Sequence, residues 1–198
     1  MEINIPTSLN DITMKQFIAF EKSGKTDDDY IKYLCDFENP KLLPSKEYNE
    51  IVSILKEVLN SDVQFAKIFK YDGIEFGFIP NLDAISANEF MHIDEFIKKP
   101  ETWNKALSVL YRPVTKRKRN WFKKNAHDLY DILPYQEQNP FEEMFLNVSC
   151  VYYLGAMVFF YNLGNDLLKY MQDYSTKLEA KVAQKKNSSM KSGVGTLA

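Results

Sequence analysis

A mainly α (α+β) domain, with several helices and one β-hairpin packed around a long buried C-terminal helix, is the fold class this sequence predicts. Three observations carry it. Met144 to Met171 is the most apolar stretch of the chain, with no charged side chain between Met144 and Leu163. Ser45 to Asn60 repeats its apolar residues at helical spacing, and Phe65 to Pro80 switches to strand-like alternation about Asp72-Gly73. With 198 residues, 45% of them hydrophobic and 26% charged, there is material for one core. The expected organisation is a single domain over 1–185 and a flexible tail over 186–198, where NSSMKSGVGTLA is small, polar and glycine-containing.

The elements follow in order. Met1 to Leu9 alternates as a short extended lead-in. Thr13 and Gln16 have the form of a capping box, opening a helix to about Glu21 whose apolar side is Met14, Phe17, Ile18 and Phe20. Gly24 ends it. Thr26 caps the next helix, and Asp27, Asp28 and Asp29 complement the positive end of its dipole. Two prolines within Asn39 to Pro44 make a turn. In Ser45 to Asn60, Tyr48, Ile51, Val52, Leu55, Val58 and Leu59 form one stripe, so that face covers a core. Asp72-Gly73 is the dipeptide favoured by a two-residue type I′ turn, which makes 65–79 a β-hairpin. Two strands alone are marginal in water, so Phe69, Tyr71, Phe76 and Phe78 are candidate contacts to the helices or to a neighbouring subunit. Ser86 and Glu89 form a second capping box, opening Ala87 to Ile97; Thr102 to Tyr111 is a further helix, stopped before Pro113. Pro134 breaks the short apolar piece YDILPY, and Pro140 with Glu142 and Glu143 opens the long helix. Gly155 and Gly164 are its expected kink points.

The uncharged run raises the question of a membrane span. Asn147, Ser149, Gly155 and Asn162 stand against one, and the run continues into Asn165, Asp166 and Lys169 at helical spacing. After Tyr161 the apolar positions Leu163, Leu167, Leu168 and Met171 recur at three- and four-residue steps, as on a one-sided helix. No membrane contact is expected. The start of the chain lacks an apolar core, so no signal peptide is expected, and Cys35 and Cys150 sit in apolar surroundings that suit buried thiols in a reducing compartment.

Candidate chemistry is sparse. The aspartates at 27–29 lack the glycine and bidentate glutamate of an EF-hand loop, so capping is favoured over calcium. His92, Asp94 and Glu95 lie close in sequence but project in different directions on a helix, and His127-Asp128 has no placed nucleophile. Phosphate-loop, CxxC, HExxH and nucleophile-elbow signatures are absent from the sequence. No catalytic residue, metal or cofactor is therefore assigned. The one strongly biased segment is RPVTKRKRNWFKK, read as a basic loop over 112–124. Arg112, Lys116, Arg117, Lys118, Arg119, Lys123 and Lys124 occur there without an acid, interleaved with Trp121 and Phe122. That mixture suits phosphates and base stacking, or an acidic partner; the alternative is a solvated loop whose aromatics fold back on the core. A net charge of -2 gives the whole chain no pull toward nucleic acid.

Four segments in the same order, IPTSLNDITMKQF, GIEFGFIPNLDAISANEFMHIDEFI, KALSVLYRPV and VFFYNLGNDLLKY, resemble a virion-morphogenesis family of tailed double-stranded-DNA bacteriophages of Bacteroidota, the crAss-like phages among them. The resemblance implies a small, mainly helical phage protein acting through protein contacts, as a component of the head, portal collar or tail. It carries no binding residue over, and the basic KRKRNWFKK stretch is longer than the family leads one to expect. A tail assembly chaperone absent from the mature particle is one alternative, and a nucleic-acid-binding accessory protein using 112–124 is another. Expected partners are other virion proteins, a further copy of the chain and packaged DNA, in the virion or in the host cytoplasm during assembly.

Overall fold

A computed structural model describes residues 3–118, 129–166, 168, 169, 171 and 172. The chain divides into two compact units, Met1–Ala156 and Met157–Ala198. The fold is mainly α with a four-stranded antiparallel sheet, as the sequence predicts in class.

In the first unit, the local signals place most helices where they were expected. Helix α1 is Met14–Glu21, with the Thr13 amide donating to Gln16 Oε1 at 2.9 Å and the Gln16 amide donating back to Thr13 Oγ1 at 3.2 Å. The short α2, Asp27–Asp29, starts on Thr26, whose amide donates to Asp29 Oδ2 at 2.8 Å, and runs into a wider turn at Tyr30–Leu34 that buries Ile31 and Leu34. Helix α3, Ser45–Leu59, buries Ile51, Val52, Leu55 and Val58. Helix α4 is Ala87–Phe96, capped by Ser86 and Glu89, and α5 is Trp103–Leu110.

Strands β1, Ile68–Tyr71, and β2, Ile74–Phe78, form the expected hairpin. Asp72 and Gly73 both adopt positive φ, 47° and 74°, as a type I′ turn requires. The hairpin does not stand alone. Strand β3, Tyr111–Lys118, pairs with β2, and β4, Leu129–Ile132, pairs with β3, giving the order β1-β2-β3-β4. The beginning of the expected basic loop is therefore a strand. Tyr111, Arg112 and Pro113 pair with Phe78, Gly77 and Phe76, after which Val114 to Lys118 pair with β4 around a register shift. Pro113, which has no N–H to donate, falls where β3 changes partner, and its carbonyl accepts from the Leu133 amide at 2.9 Å.

One face of the sheet carries an aromatic core. Phe69 stacks on Tyr152 at 3.9 Å, Phe76 meets Phe145 edge-on at 5.1 Å, and Phe78 meets Tyr111 at 5.3 Å. Burial of each such ring contributes roughly 1.5–3 kcal/mol. On the other face the Tyr130 ring lies across Gly77, where a Cβ would come within 2.4 Å of it, and the Tyr130 hydroxyl donates to the Phe78 carbonyl at 2.8 Å.

The long buried helix is where the structure departs most from expectation. Helix α6 spans only Glu142–Phe145. Beyond it the Leu146 and Val148 carbonyls accept from the Lys15 and Met14 amides, and the Cys150 amide donates to the Ile12 carbonyl. Carbonyls turned sideways to another segment cannot serve an α-helical ladder, so the helix breaks. It resumes over 151–156, with Tyr153 and Ala156 buried and Gly155 so close to the 64–65 backbone that a Cβ would meet the Gln64 carbonyl oxygen at 2.7 Å. Gly155 thus marks a close approach rather than the expected kink.

In the second unit, 157–166, 168, 169, 171 and 172 are helical. None of the described residues there is fully buried, and Val158, Tyr161, Leu163, Leu168 and Met171 are exposed. Nothing lies within 4 Å of a Cβ built on Gly164. Among the described residues no helix is long and apolar enough to cross a membrane. The expected tail over 186–198 lies outside the described residues.

Candidate functional site

The basic segment divides sharply once it is folded. Arg112 sits in β3 behind α4, 7% exposed, and its Nη2 donates to Glu89 Oε1 at 2.8 Å, with Glu89 itself 7% exposed. Arg117 grips Glu75 across the sheet with two hydrogen bonds, Nη2 to Oε1 at 2.6 Å and Nε to Oε2 at 3.1 Å. Arg112 is committed within the chain and is not an open phosphate contact, which corrects the expectation for it, whereas Arg117 stays half exposed beside Glu75. Lys116 is exposed. The Lys118 side chain and Arg119, Trp121, Phe122, Lys123 and Lys124 lie outside the described residues, as do His127 and Asp128.

The hairpin aromatics are corrected too. Phe69, Phe76 and Phe78 are buried in the chain's own core, so they are not offered to a neighbouring subunit; Tyr71 alone of the four is only half-buried. Alternation showed that they share a face but could not show that β3 and the 141–153 region would cover it.

Around Glu89 and Arg112 there is a cleft of about 370 Å³, walled by Ile79, Pro80, Ile85 and Leu133 and reaching Tyr135. Burial works against the Glu89 carboxylate, but hydrogen bonds from the Ser86 amide and hydroxyl, and the Arg112 guanidinium, outweigh it and hold Glu89 below the usual carboxylate range. Arg112 Nε is buried without a hydrogen-bond partner. His92 Nδ1 and the Tyr135 hydroxyl share a hydrogen bond, Asp94 accepts from Lys98 Nζ at 2.6 Å, and Glu95 faces solvent. The structure therefore does not bring His92, Asp94 and Glu95 together. A second cleft, about 550 Å³, is polar, but Gln16 Nε2 donates to Asp36 there at 3.0 Å and Lys32 pairs with Glu38 at 3.2 Å, so its polar groups serve one another. Among the described residues, no group of three or more His, Cys, Asp or Glu is placed to hold a metal ion. The thiols are poor nucleophiles, since burial pushes Cys35 up to about 11 and Cys150 up to about 12.

Among the described residues, large apolar side chains reach solvent at Leu42 and Leu133, on α4 and in the second unit. In the first unit the outward side of α4 holds Phe90 and Met91, 65% and 62% exposed. In the second, five large apolar side chains between Val158 and Met171 are exposed, Tyr161 at 70% and Met171 at 58%. The sequence predicts a helix buried on most sides whose later turns emerge into solvent, with Leu163, Leu168 and Met171 on its apolar side, because aliphatic and aromatic side chains usually go to the core. Asn162, Asn165, Asp166 and Lys169, spaced i, i+3, i+4 and i+7, share one face of the helix, and that spacing could not tell whether the remaining apolar side would be covered.

No protein-family model matches the chain, and neither a curated protein nor a solved structure matches it.

Proposed function

We propose that this protein works by protein–protein contact, as a structural or assembly component of a tailed-phage particle. The observation that carries the contact reading is the row of exposed apolar side chains from Val158 to Met171. Each exposed ring or branched chain costs free energy in water that a partner surface would recover, at about 25 cal/mol per Å² covered. In the two clefts described above, Glu89 is paired with Arg112 and Lys32 with Glu38. The phage setting comes from the four resembling segments alone.

Quantitative mass spectrometry of purified particles tests the reading. A fixed copy number in the particle is the expected result for a structural subunit of head, collar or tail. Recovery only in assembly intermediates would make it a chaperone that departs before completion. Absence from both, with no virion protein bound to the purified chain, would refute the reading.

A further inference from the structure

Resting on the contact reading above, we infer that the cleft beside Glu89 and Arg112 takes a neutral aliphatic amide, as a partner's main chain presents beside a leucine, isoleucine or valine, and that residues 134–138 are the strap that admits it. Among the described residues, Arg112 Nε is the buried side-chain nitrogen or oxygen that finds no hydrogen-bond partner. An N–H left bare in such a place favours any acceptor brought to it. Arg112 is 7% exposed and lines the cleft together with Glu89, so the cleft is its route to an acceptor.

The walls and the charges define the ligand. Ile79, Ile85, Ile132 and Leu133 are aliphatic, and a cleft of about 370 Å³ has room for one branched side chain with its peptide group. Glu89 already neutralises Arg112, Asp131 lines the same cleft, and Glu137 and Glu142 act on Tyr135 at its edge. A carboxylate or phosphate would enter against these acids, whereas a carbonyl oxygen accepts from Nε without adding charge.

Access follows from the outer wall. Between β4 and α6, residues 133–139 form neither helix nor strand. The Leu133 amide donates to the Pro113 carbonyl at 2.9 Å and Asn139 Nδ2 donates to the Ser108 carbonyl at 2.8 Å, which pins both ends. Between the pins two side-chain contacts to α4 hold the strap. Tyr135 Oη shares its hydrogen bond with His92 Nδ1, and Asn88 Nδ2 donates to Glu137 Oε1 at 2.9 Å. Releasing those two contacts frees Pro134 and Tyr135, which wall the cleft, without breaking the sheet.

The test is a nuclear magnetic resonance titration of the full, isotopically labelled chain with N-acetyl-leucine N-methylamide. The Arg112 Nε–H signal should move saturably, and the probe's methyl groups should contact Ile85 and Leu133. Ala84→Phe, which fills the exposed mouth of the cleft, should abolish both effects; should that variant not fold, the methyl contacts alone decide the site. Tyr135→Phe removes one latch, worth a single hydrogen bond. Exchange of Arg112 Nε–H with solvent should therefore speed up, and the apparent Kd fall, each by about two- to tenfold. An Arg112 signal that the probe leaves in place would overturn the site. N-acetyl-leucine, the anion, binding as tightly would overturn the ligand class, and an unchanged exchange rate and Kd in Tyr135→Phe would overturn the strap. Failure of the titration with a chain still found in particles would end this inference alone. Saturable binding by a chain absent from particles and assembly intermediates would instead end the assembly role.

Discussion

Removing the Glu89 carboxylate should destabilise the first unit severely. The carboxylate accepts from Arg112 Nη2 at 2.8 Å and from the Ser86 amide at 2.8 Å, and the side chains of both charged partners are at least nine-tenths buried. Glu89→Ala strands the guanidinium in a low-dielectric site, where breaking a buried pair costs about 3–5 kcal/mol. The glutamate half of the α4 capping box goes with it, for about 1 kcal/mol more. Arg112→Met is costly for the mirror reason, although Glu89 keeps its Ser86 hydrogen bonds. Replacing both by methionine removes both charges, so the double variant should lose less than the two single losses added together. Urea unfolding followed by far-ultraviolet circular dichroism measures all three, provided the slope with denaturant stays constant. Losses below about 1 kcal/mol for both single variants would be those of a solvated surface pair, and would refute the reasoning. The pH dependence has a fixed sign. The Glu89 pKa lies lower in the folded chain than its ordinary 4.5, so its contribution is present above that value and is lost as pH falls through the folded one. Glu89→Gln should flatten that acid limb.

Three further outcomes follow from the packing. Gly77→Ala drives a methyl to within 2.4 Å of the Tyr130 ring and should cost about 1–3 kcal/mol in thermal or urea unfolding; most of that loss should disappear in a Tyr130→Ala background, where the ring is gone. Phe76→Ala should cost about 3–5 kcal/mol, and Tyr71→Ala clearly less, because Phe76 is fully buried and Tyr71 is not; equal losses would show that the hairpin aromatics do not divide as described. Cys35 and Cys150 should resist a thiol reagent at pH 8 in native buffer and react at once in denaturant, since burial holds them at about 11 and about 12; rapid native labelling of either would contradict its burial.

Chain-local physics was legible before folding. The Thr13–Gln16 and Ser86–Glu89 boxes satisfy amides three residues away, Asp72-Gly73 relieves positive φ, and the α3 stripe needs only a 3.6-residue period, so each could be read from a few neighbouring residues. Those signals determined the helix starts, the hairpin and the mainly helical class. Tertiary structure decided the rest, because the groups responsible are far apart in the chain. Tyr111 to Lys118 is a strand because β2 and β4 lie on either side of it, and Arg112 is internal because Glu89 waits 23 residues upstream. The apolar run breaks after Phe145 because amides near residue 14 take its carbonyls, and its later residues stay exposed in a separate unit. Hydrophobicity states how much a side chain gains from leaving water; it does not state which surface will receive it.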